Sequence, residues 1–347
     1  MSAGSGVWAP HPEQASEVVM GRSVNGAFWR DKTSAKREVA ALRAGLVGWR
    51  VMFSRWALLL ALASTVGCTS PLRTRLASIE EASGGVLGVS LVVVETEDGV
   101  SLHGREPFPM ASTFKVAVAL SVLTKVDRRD LRLTDVIHLA PADARPGMGD
   151  GLGDHMPPTG LDKTVRELLE AMLEESDNTA CDALLSRVGG PLGVTAQLQL
   201  LGVAGMHVDR SELELGQDSE REGDAFSRDP RDQTTPEAMV GLFRKILAGE
   251  ALTPGSTAHL LAWMAAATTG RMRLQAGLPP GTKLAHKTGT GRGFLAVNDA
   301  GIIVLPDGKH LVVATYLRDS HAPLADQEHV LAEVARAAYE RWGGAPR

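Results

Sequence analysis

The hydrophobic pattern divides the body of the chain into two strand-rich ends and a helical middle. Apolar side chains at helical spacing over 72–82 end at a Gly-Gly pair, which is typical of a helix terminus. A nearly continuous apolar, β-branched run over 86–94 then predicts a strand buried on both faces. Asp98-Gly99 predicts a hairpin turn into a second strand over 100–103.

The middle of the chain is predicted to be mostly helical. Helical spacing with capping residues marks the segments 164–174, 178–188, 191–201 and 236–248. A glycine- and proline-rich loop over 145–160 and a charged stretch without periodicity over 209–232 interrupt this pattern. Long loops inside a compact domain are usually functional.

Strand patterns return near the end of the chain, at 284–290, 301–305 and 311–316, and an amphipathic helix over 325–342 follows. Because strands at both ends enclose a helical insert, we expect the two ends to share one antiparallel sheet. The predicted fold class is therefore α+β. It combines a five-stranded antiparallel sheet, flanked by helices of the N- and C-terminal segments, with an all-helical subdomain.

The predicted domain organisation is a leader over 1–68 and one catalytic domain over 69–347. Within that domain, 69–108 and 275–347 form the α/β part and 109–274 the helical part. The leader is basic, with eight Lys/Arg and four Asp/Glu, whereas the whole chain of 347 residues has a net charge of −5. The remainder therefore carries about −9, which argues against a nucleic-acid partner.

The leader contains a secretory signal pattern. Arg55 precedes a short apolar stretch and small residues that end at Gly67-Cys68. Met52 is a natural start, which would make 1–51 a mis-assigned extension and 52–68 the signal peptide. We expect a protein exported across the inner membrane to the periplasm. Gly67-Cys68 is similar to a bacterial lipoprotein cleavage site, so a lipid anchor at Cys68 and plain signal cleavage both stay open.

Four polar clusters are candidates for chemistry, and each alone has a structural explanation. Ser112 and Lys115 lie one helical turn apart in an apolar run, where a desolvated lysine can act as a base toward a serine, or Ser112 can simply cap a helix. Ser176-Asp177-Asn178 joins two predicted helices and suits a helix cap. Glu212 lies in the long charged loop. Lys287-Thr288-Gly289-Thr290 lies on a strand, where Gly289 would permit close approach of a backbone or ligand and the polar side chains would bind an anion.

These motifs, in this order, resemble those of the class A serine β-lactamases over roughly 72–342. The resemblance implies that Ser112 attacks the β-lactam carbonyl and that Lys115 takes or relays its proton. Ser176 would carry that proton to the ring nitrogen, and Glu212 would activate the hydrolytic water. Whether Lys115 or Glu212 is the base for acylation stays open.

The resemblance also implies a substrate-binding set. Asn178 would hold the side-chain amide of the substrate, the Lys287-Thr288-Gly289-Thr290 strand would bind the ring carboxylate, and Arg292 could add a second cation. The backbone N–H groups of Ser112 and Thr290 would form the oxyanion hole. No cofactor and no metal is expected. The predicted partner is a small β-lactam, with membrane contact only through an anchor at Cys68, and the protein is expected to be a monomer.

The resemblance leaves two related functions as alternatives and shows three departures. A D-Ala-D-Ala peptidase or transpeptidase, or a penicillin-binding sensor, would form the acyl-enzyme without releasing it, and Glu212 argues against both.

Gly216 replaces an asparagine that helps to hold the water in many members, and Asp182 replaces an asparagine that anchors the loop. Arg210 and Asp232 are predicted to close a longer loop by a salt bridge. This combination is similar to a divergent, extended-spectrum branch.

Overall fold

The structure is a computed structural model that describes residues 70–344, except Pro146, Met148, Gly149, Arg292 and Phe294. The predicted leader over 1–68, with Met52 and Cys68, and the candidate substrate-binding residue Arg292 lie outside the described residues. Within the described part, no helix is long and apolar enough to cross a membrane.

Nine strands are described, and five of them form the central antiparallel sheet in the order β2-β1-β9-β8-β7. The strands are β1 Val86–Val93, β2 Asp98–Leu102, β3 Phe108–Pro109, β4 Val136–Leu139, β5 Leu161–Thr164, β6 Gln233–Thr234, β7 Leu284–Thr290, β8 Ala296–Val304 and β9 His310–Arg318. The predicted α+β fold, with a sheet shared by both ends of the chain, is confirmed.

The α-helices of the described part cover both faces of this sheet. They are α1 Pro71–Ser83, α2 Lys115–Asp127, α3 Val165–Glu170, α4 Asn178–Arg187, α5 Gly190–Leu200, α6 Glu212–Glu222, α7 Pro236–Leu247, α8 Pro254–Ala265 and α9 Leu324–Trp342. Alternate side chains of β9 separate two cores. Leu311 and Val313 pack in the core with α1 and α9, whereas Val312 and Ala314 belong to the core of the other helices.

Helix α2 lies inside that second core. Every residue over 115–124 is buried, and Lys115, at the first position, is the only charged residue of that stretch. A 3₁₀ turn over Ala111–Phe114 leads into it. The apolar run in which Ser112 and Lys115 were placed one helical turn apart therefore continues as a buried helix, and its burial fixes where the first turn points.

Two local predictions were wrong. Asp98 and Gly99 do not form the hairpin turn, because they pair with Val93 and Val92 as the first residues of β2. The chain reverses over the preceding residues, where Glu97 has φ 56°. The helical region also contains a short β4–β5 ribbon on either side of the glycine-rich loop, which the sequence analysis did not predict.

The charged stretch over 209–232 is not irregular. It contains α6 and a 3₁₀ turn over Gly223–Arg228. Ser211 caps α6, its side chain accepting from the Glu214 N–H while the Glu214 carboxylate accepts from the Ser211 N–H. This Ser-x-x-Glu capping box is visible in the sequence, but the polar surface of the helix hides its periodicity.

Candidate active site

The turn that carries Ser112 is held in a strained conformation. Ala111, immediately before it, has φ 44°, which is costly for a residue with a Cβ and persists only where neighbours enforce it. The side-chain amide of Asn298 on β8 donates to the carbonyls of Pro109 and Met110, at 2.8 and 3.0 Å. Thr113 Oγ1 donates to the same Met110 carbonyl at 2.8 Å. The turn is therefore held by Asn298 from the sheet and by Thr113 from within the turn, and Ser112 lies on the wall of a cleft.

Gly289 on β7 allows that strand to approach the Ser112 turn. A Cβ at this position would lie 2.6 Å from the Met110 carbonyl oxygen and 3.2 Å from the Ser112 nitrogen. A side chain here would push strand and turn apart, so the glycine is required by close approach, as its place in a strand predicted. The first N–H groups of a helical turn have no partner within it, and the N–H of Ser112 is thus available beside the strand.

Lys115 is fully buried and surrounded by oxygen atoms. Its Nζ donates to the Ser176 carbonyl at 2.6 Å and to Asn178 Oδ1 at 2.7 Å, and lies 2.9 Å from Glu212 Oε1. Among the described residues, the Ser112 hydroxyl makes no hydrogen bond to it. Catalytic hydrogen bonds are often long before substrate binds, so the chemistry of this pair stays a prediction. The structure places Lys115 between three of the other predicted site residues.

Ser176 occupies a left-handed position, with φ 65°, in the turn that precedes α4. Asp177 caps that helix by accepting from the Ala180 N–H at 2.6 Å, which aims the neighbouring Ser176 side chain at the cleft. Ser176 Oγ accepts from Lys287 Nζ at 2.8 Å and lies 3.5 Å from Lys115 Nζ. A hydroxyl between two amines can pass a proton from one side to the other.

Lys287 on β7 is fully buried beneath the cleft. Its ammonium donates to Ser176 Oγ and, at 3.0 Å, to the Thr288 carbonyl. Burial, followed by the nearby Lys115 charge, lowers the pKa of Lys287 well below its ordinary value. Asp299 and Glu212 oppose that shift. The amine is thus a weaker base than that of a surface lysine, and its ammonium form gives up a proton more readily.

Glu212 is the first residue of α6, and its side chain is 10% exposed. Its Oε1 faces Lys115 at ion-pair distance, but at an angle that makes no aligned hydrogen bond, and no other described residue donates to it. A buried carboxylate oxygen with unused capacity at the edge of a cleft is suited to accept from a water molecule. Gly216, one turn further on, leaves open space, since a Cβ there would meet nothing within 4 Å.

The predicted Arg210–Asp232 ion pair closes the segment that carries Glu212. Arg210 Nε donates to Asp232 Oδ2 at 2.6 Å, and Asp232 Oδ1 also accepts the N–H groups of Asp209 and Arg210. Arg210 Nη1 binds two further carboxylates, of Asp218 and Asp229. The segment is thus anchored around one buried guanidinium.

Sequence reasoning missed Arg273. Its buried guanidinium donates to the Gly289 and Asn298 carbonyls, both at 2.9 Å, and to Thr290 Oγ1 at 2.7 Å. Glu328 on α9 accepts from its Nε at 3.1 Å. No spacing rule links Arg273 to the Lys287 strand, because only the fold brings the segment after α8 against β7. A permanent cation therefore lies at the end of the strand where only Arg292 was predicted.

Most of the predicted site residues that the structure describes lie in or directly behind the wall of one cleft of about 780 Å³, large enough for a drug-sized molecule. Its wall includes Ser112, Ser176, Asn178, Glu212, Thr288, Thr290 and Arg273. Lys115 and Lys287 lie directly behind that wall. Among the described residues, one acidic group with metal-like spacing exists outside the cleft, formed by Asp218, Glu222 and Asp229. Arg210, Arg221 and Arg231 already pair with these carboxylates, which does not suit a cation.

Cys181 on α4 is fully buried. Burial, followed by the nearby Glu212 charge, raises the pKa of its thiol, so it is a poor nucleophile. His286, next to Lys287, is also buried, and its Nδ1 lies 2.8 Å from Asp299 Oδ1. Both side chains are therefore part of the packing.

The sequence profile of the beta-lactamase enzyme family matches residues 71–342. The chain is 34% identical over 283 residues to beta-lactamase CTX-M-25 of Escherichia coli, covering 80% of this chain and 92% of that protein. It is 32% identical over 279 residues to the extended-spectrum beta-lactamase PER-1 of Pseudomonas aeruginosa, covering 78% of this chain and 86% of that one.

Solved structures agree with this relationship. A beta-lactamase from Chitinophaga pinensis superposes with a TM-score of 0.72 at 33% identity, covering 78% of this chain and 98% of that one. An ancestral class A beta-lactamase superposes with a TM-score of 0.71 at 38% identity, covering 78% of this chain and all of the other.

Proposed function

The chain belongs to the beta-lactamase enzyme family, and within it to class A, and from that premise we propose that it hydrolyses penicillins and cephalosporins through an acyl-enzyme on Ser112. Such hydrolysis would confer resistance to these antibiotics. One observation carries the proposal: Ser112, Lys115, Ser176 and Glu212 converge on a single cleft, with Lys115 Nζ 2.9 Å from Glu212 Oε1.

Acylation begins when the β-lactam carbonyl enters the space between Ser112 and β7. Lys115 passes a proton to Glu212 across their contact, and the neutral amine removes the proton of Ser112 as Oγ attacks the carbonyl carbon. The N–H groups of Ser112 and Thr290 stabilise the oxyanion, an interaction whose loss typically costs about 100- to 1000-fold. The C–N bond breaks as Ser176 delivers a proton to the ring nitrogen and takes one from Lys115.

Deacylation depends on Glu212. Its proton returns to Lys115, and the carboxylate then removes a proton from a water molecule that attacks the Ser112 ester. Collapse of the tetrahedral intermediate breaks the ester bond, returns a proton to Ser112 Oγ and releases the ring-opened acid. Glu212 is the feature that distinguishes this reaction from that of a transpeptidase or sensor. The unused hydrogen-bonding capacity of its Oε1 supports the same conclusion.

Substrate binding uses the opposite end of the cleft. The ring carboxylate accepts hydrogen bonds from Thr288 and Thr290 in the field of Lys287 and Arg273. Asn178 Oδ1 is occupied by Lys115, so the NH₂ of its amide is left to donate to the side-chain carbonyl of the substrate. Arg273 supplies a second cation in this scheme, and the role of Arg292 stays a prediction.

Replacing Arg273 by alanine is expected to raise KM for a penicillin about 10- to 100-fold with a smaller change in kcat, because it removes a charge-assisted contact to the carboxylate. Steady-state kinetics with a penicillin and with its carboxylate methyl ester measure the effect. Arg271→Ala, an exposed arginine two residues earlier, is the matched control. An equal loss for acid and ester would contradict carboxylate binding by Arg273.

The lowered pKa of Lys287 predicts that kcat/KM falls at alkaline pH. An ordinary lysine titrates near 10.5, so the buried ammonium loses its charge at a lower pH and kcat/KM falls on the alkaline side before that value. Arg273 contributes a second cation at this end of the cleft, and the fall should therefore be steeper in Arg273→Ala. Circular dichroism at each pH excludes unfolding as its cause. A flat kcat/KM up to pH 10.5 would contradict this assignment.

The proposal extends to where the enzyme works. The leader supports export to the periplasm, with Cys68 as a lipid attachment site. We also propose that the catalytic domain is a monomer. Fractionation of cells that express the full chain tests the anchor. Wild-type protein should sediment with membranes, and Cys68→Ala should move it to the soluble periplasmic fraction. Identical distributions would leave plain signal cleavage as the alternative.

A further inference from the structure

Asp182 on α4 receives three N–H groups with its two carboxylate oxygens. Oδ1 accepts from the Glu212 backbone at 2.7 Å, and Oδ2 accepts from the Leu213 backbone and from Arg145 Nε, both at 3.1 Å. The side chain is 13% exposed, and that of Arg145 is 17% exposed. Asp182 therefore holds the first two peptide N–H groups of α6, the helix that begins at Glu212.

Only a carboxylate satisfies this arrangement. An asparagine would offer one accepting oxygen and one NH₂ group, and the NH₂ would face a donor from Arg145 or from the backbone. A donor facing a donor in a largely buried place leaves both groups unpaired, which is costly. The negative charge that the arrangement requires is in turn balanced by the Arg145 guanidinium.

Arg145 is itself held on both sides. Its Nη1 donates to the Ala142 and Ala144 carbonyls, at 2.8 and 2.9 Å, and its backbone N–H donates to Thr179 Oγ1 at 2.9 Å. The residue thus joins the segment 141–145, at the edge of the cleft, to the same helix α4 that carries Asp182. Arg145 Nε is the atom that donates to Asp182. The hydrogen bonds of Nη1 to the Ala142 and Ala144 carbonyls fix the position of that Nε.

We propose that Arg145 and Asp182 are a positioning pair for Glu212. Asp182 stands where many family members have an asparagine, and the positive charge of Arg145 compensates the negative charge that this replacement introduces. The pair fixes the start of α6 and thereby the distance between the Glu212 carboxylate and the acyl ester. This inference rests on the proposed function only for its kinetic consequence. Misplacing a catalytic group by about 1 Å can cost about 100-fold in rate, so deacylation is the step that depends on the pair.

A double-mutant cycle with Asp182→Asn and Arg145→Gln tests the pair. The glutamine amide lies at the same number of bonds from the backbone as Arg145 Nε, so the double variant forms a neutral amide pair. The new asparagine would then accept both backbone N–H groups with its oxygen and donate to the glutamine oxygen. Asp182→Asn alone leaves the partly buried Arg145 guanidinium without its counterion.

We expect deacylation to fall about 100-fold in Asp182→Asn, with acylation changed by about threefold or less, and to recover about tenfold in the double variant. Arg145→Gln alone keeps a donor to Asp182 and should cost about threefold. Burst and single-turnover kinetics separate the two steps. Arg187→Gln, an exposed arginine on the same helix, is the control. Additive losses in the double variant would overturn the proposal.

Hydrogen exchange gives a readout that does not depend on turnover. The Glu212 and Leu213 amides should lose protection in Asp182→Asn and regain it in the double variant. Unchanged protection in all variants would also overturn the proposal. A wild-type protein without β-lactam hydrolysis, but with coupled exchange at these two amides, would instead contradict the proposed function alone.

Discussion

Glu212→Gln is expected to trap the β-lactam as a long-lived acyl-enzyme on Ser112. The amide cannot take a proton from water, so deacylation loses a general base, an effect typically worth about 100- to 10,000-fold. Acylation also slows, because Lys115 loses the group to which it gives its proton, but the loss is greater for deacylation. The acyl-enzyme therefore accumulates, and intact-mass spectrometry should show the protein plus one mass of intact β-lactam.

A matched control separates the general effect of removing one negative charge from the specific loss of Glu212 as a base. Glu81→Gln neutralises an exposed carboxylate on α1 that is not part of the cleft wall, and it should leave turnover unchanged. If Glu212→Gln turned over substrate at the wild-type rate, another base would perform deacylation. If it formed no adduct at all, Glu212 would be essential for acylation as well, and the prediction that the acyl-enzyme accumulates would be wrong.

Lys115→Met is expected to lose acylation rather than deacylation. Methionine fills a similar space without the amine, so Ser112 has no base and its attack should slow by about 100- to 10,000-fold. Removal of the ammonium also leaves the Glu212 carboxylate, the Asn178 amide oxygen and the Ser176 carbonyl without their common donor. Stopped-flow acylation with a chromogenic cephalosporin measures the first effect.

Thermal unfolding measures the second effect of that substitution. A buried carboxylate that loses its partner destabilises the fold, by about 3–5 kcal/mol in typical buried pairs. Lys125→Met, at the other end of the same helix, is the control and should change neither rate nor stability strongly. Normal acylation in Lys115→Met would show that the serine is activated by another group.

The hydrophobic pattern predicted those parts of the fold whose residues are buried on one face or on all sides. Helix α2, β1 and β7 were predicted because nearly every residue in them is apolar or belongs to a recognisable motif. Helix α6 was missed because its surface is polar and only its capping box marks it. The Asp98-Gly99 pair was misplaced because strand pairing, rather than local turn preference, fixed its position.

The site was predictable wherever its residues lie close in sequence, and not where the fold brings distant segments together. Ser112, Lys115, Ser176 and Glu212 were found through motifs. Arg273 was not, because its contacts to Gly289 and Thr290 depend on how the segment after α8 packs against β7. The Arg145–Asp182 contact is of the same kind, since Asp182 was noticed as a departure but its partner was not.

The most direct test of the central claim is a rapid-mixing intact-mass time course of the wild-type protein with one penicillin and one cephalosporin. The account predicts a transient adduct on Ser112, followed by return to the unmodified mass and release of ring-opened product over many turnovers. An adduct that persists on the wild-type protein would contradict the account, because it would identify a cell-wall enzyme or a sensor in which Glu212 does not deliver water.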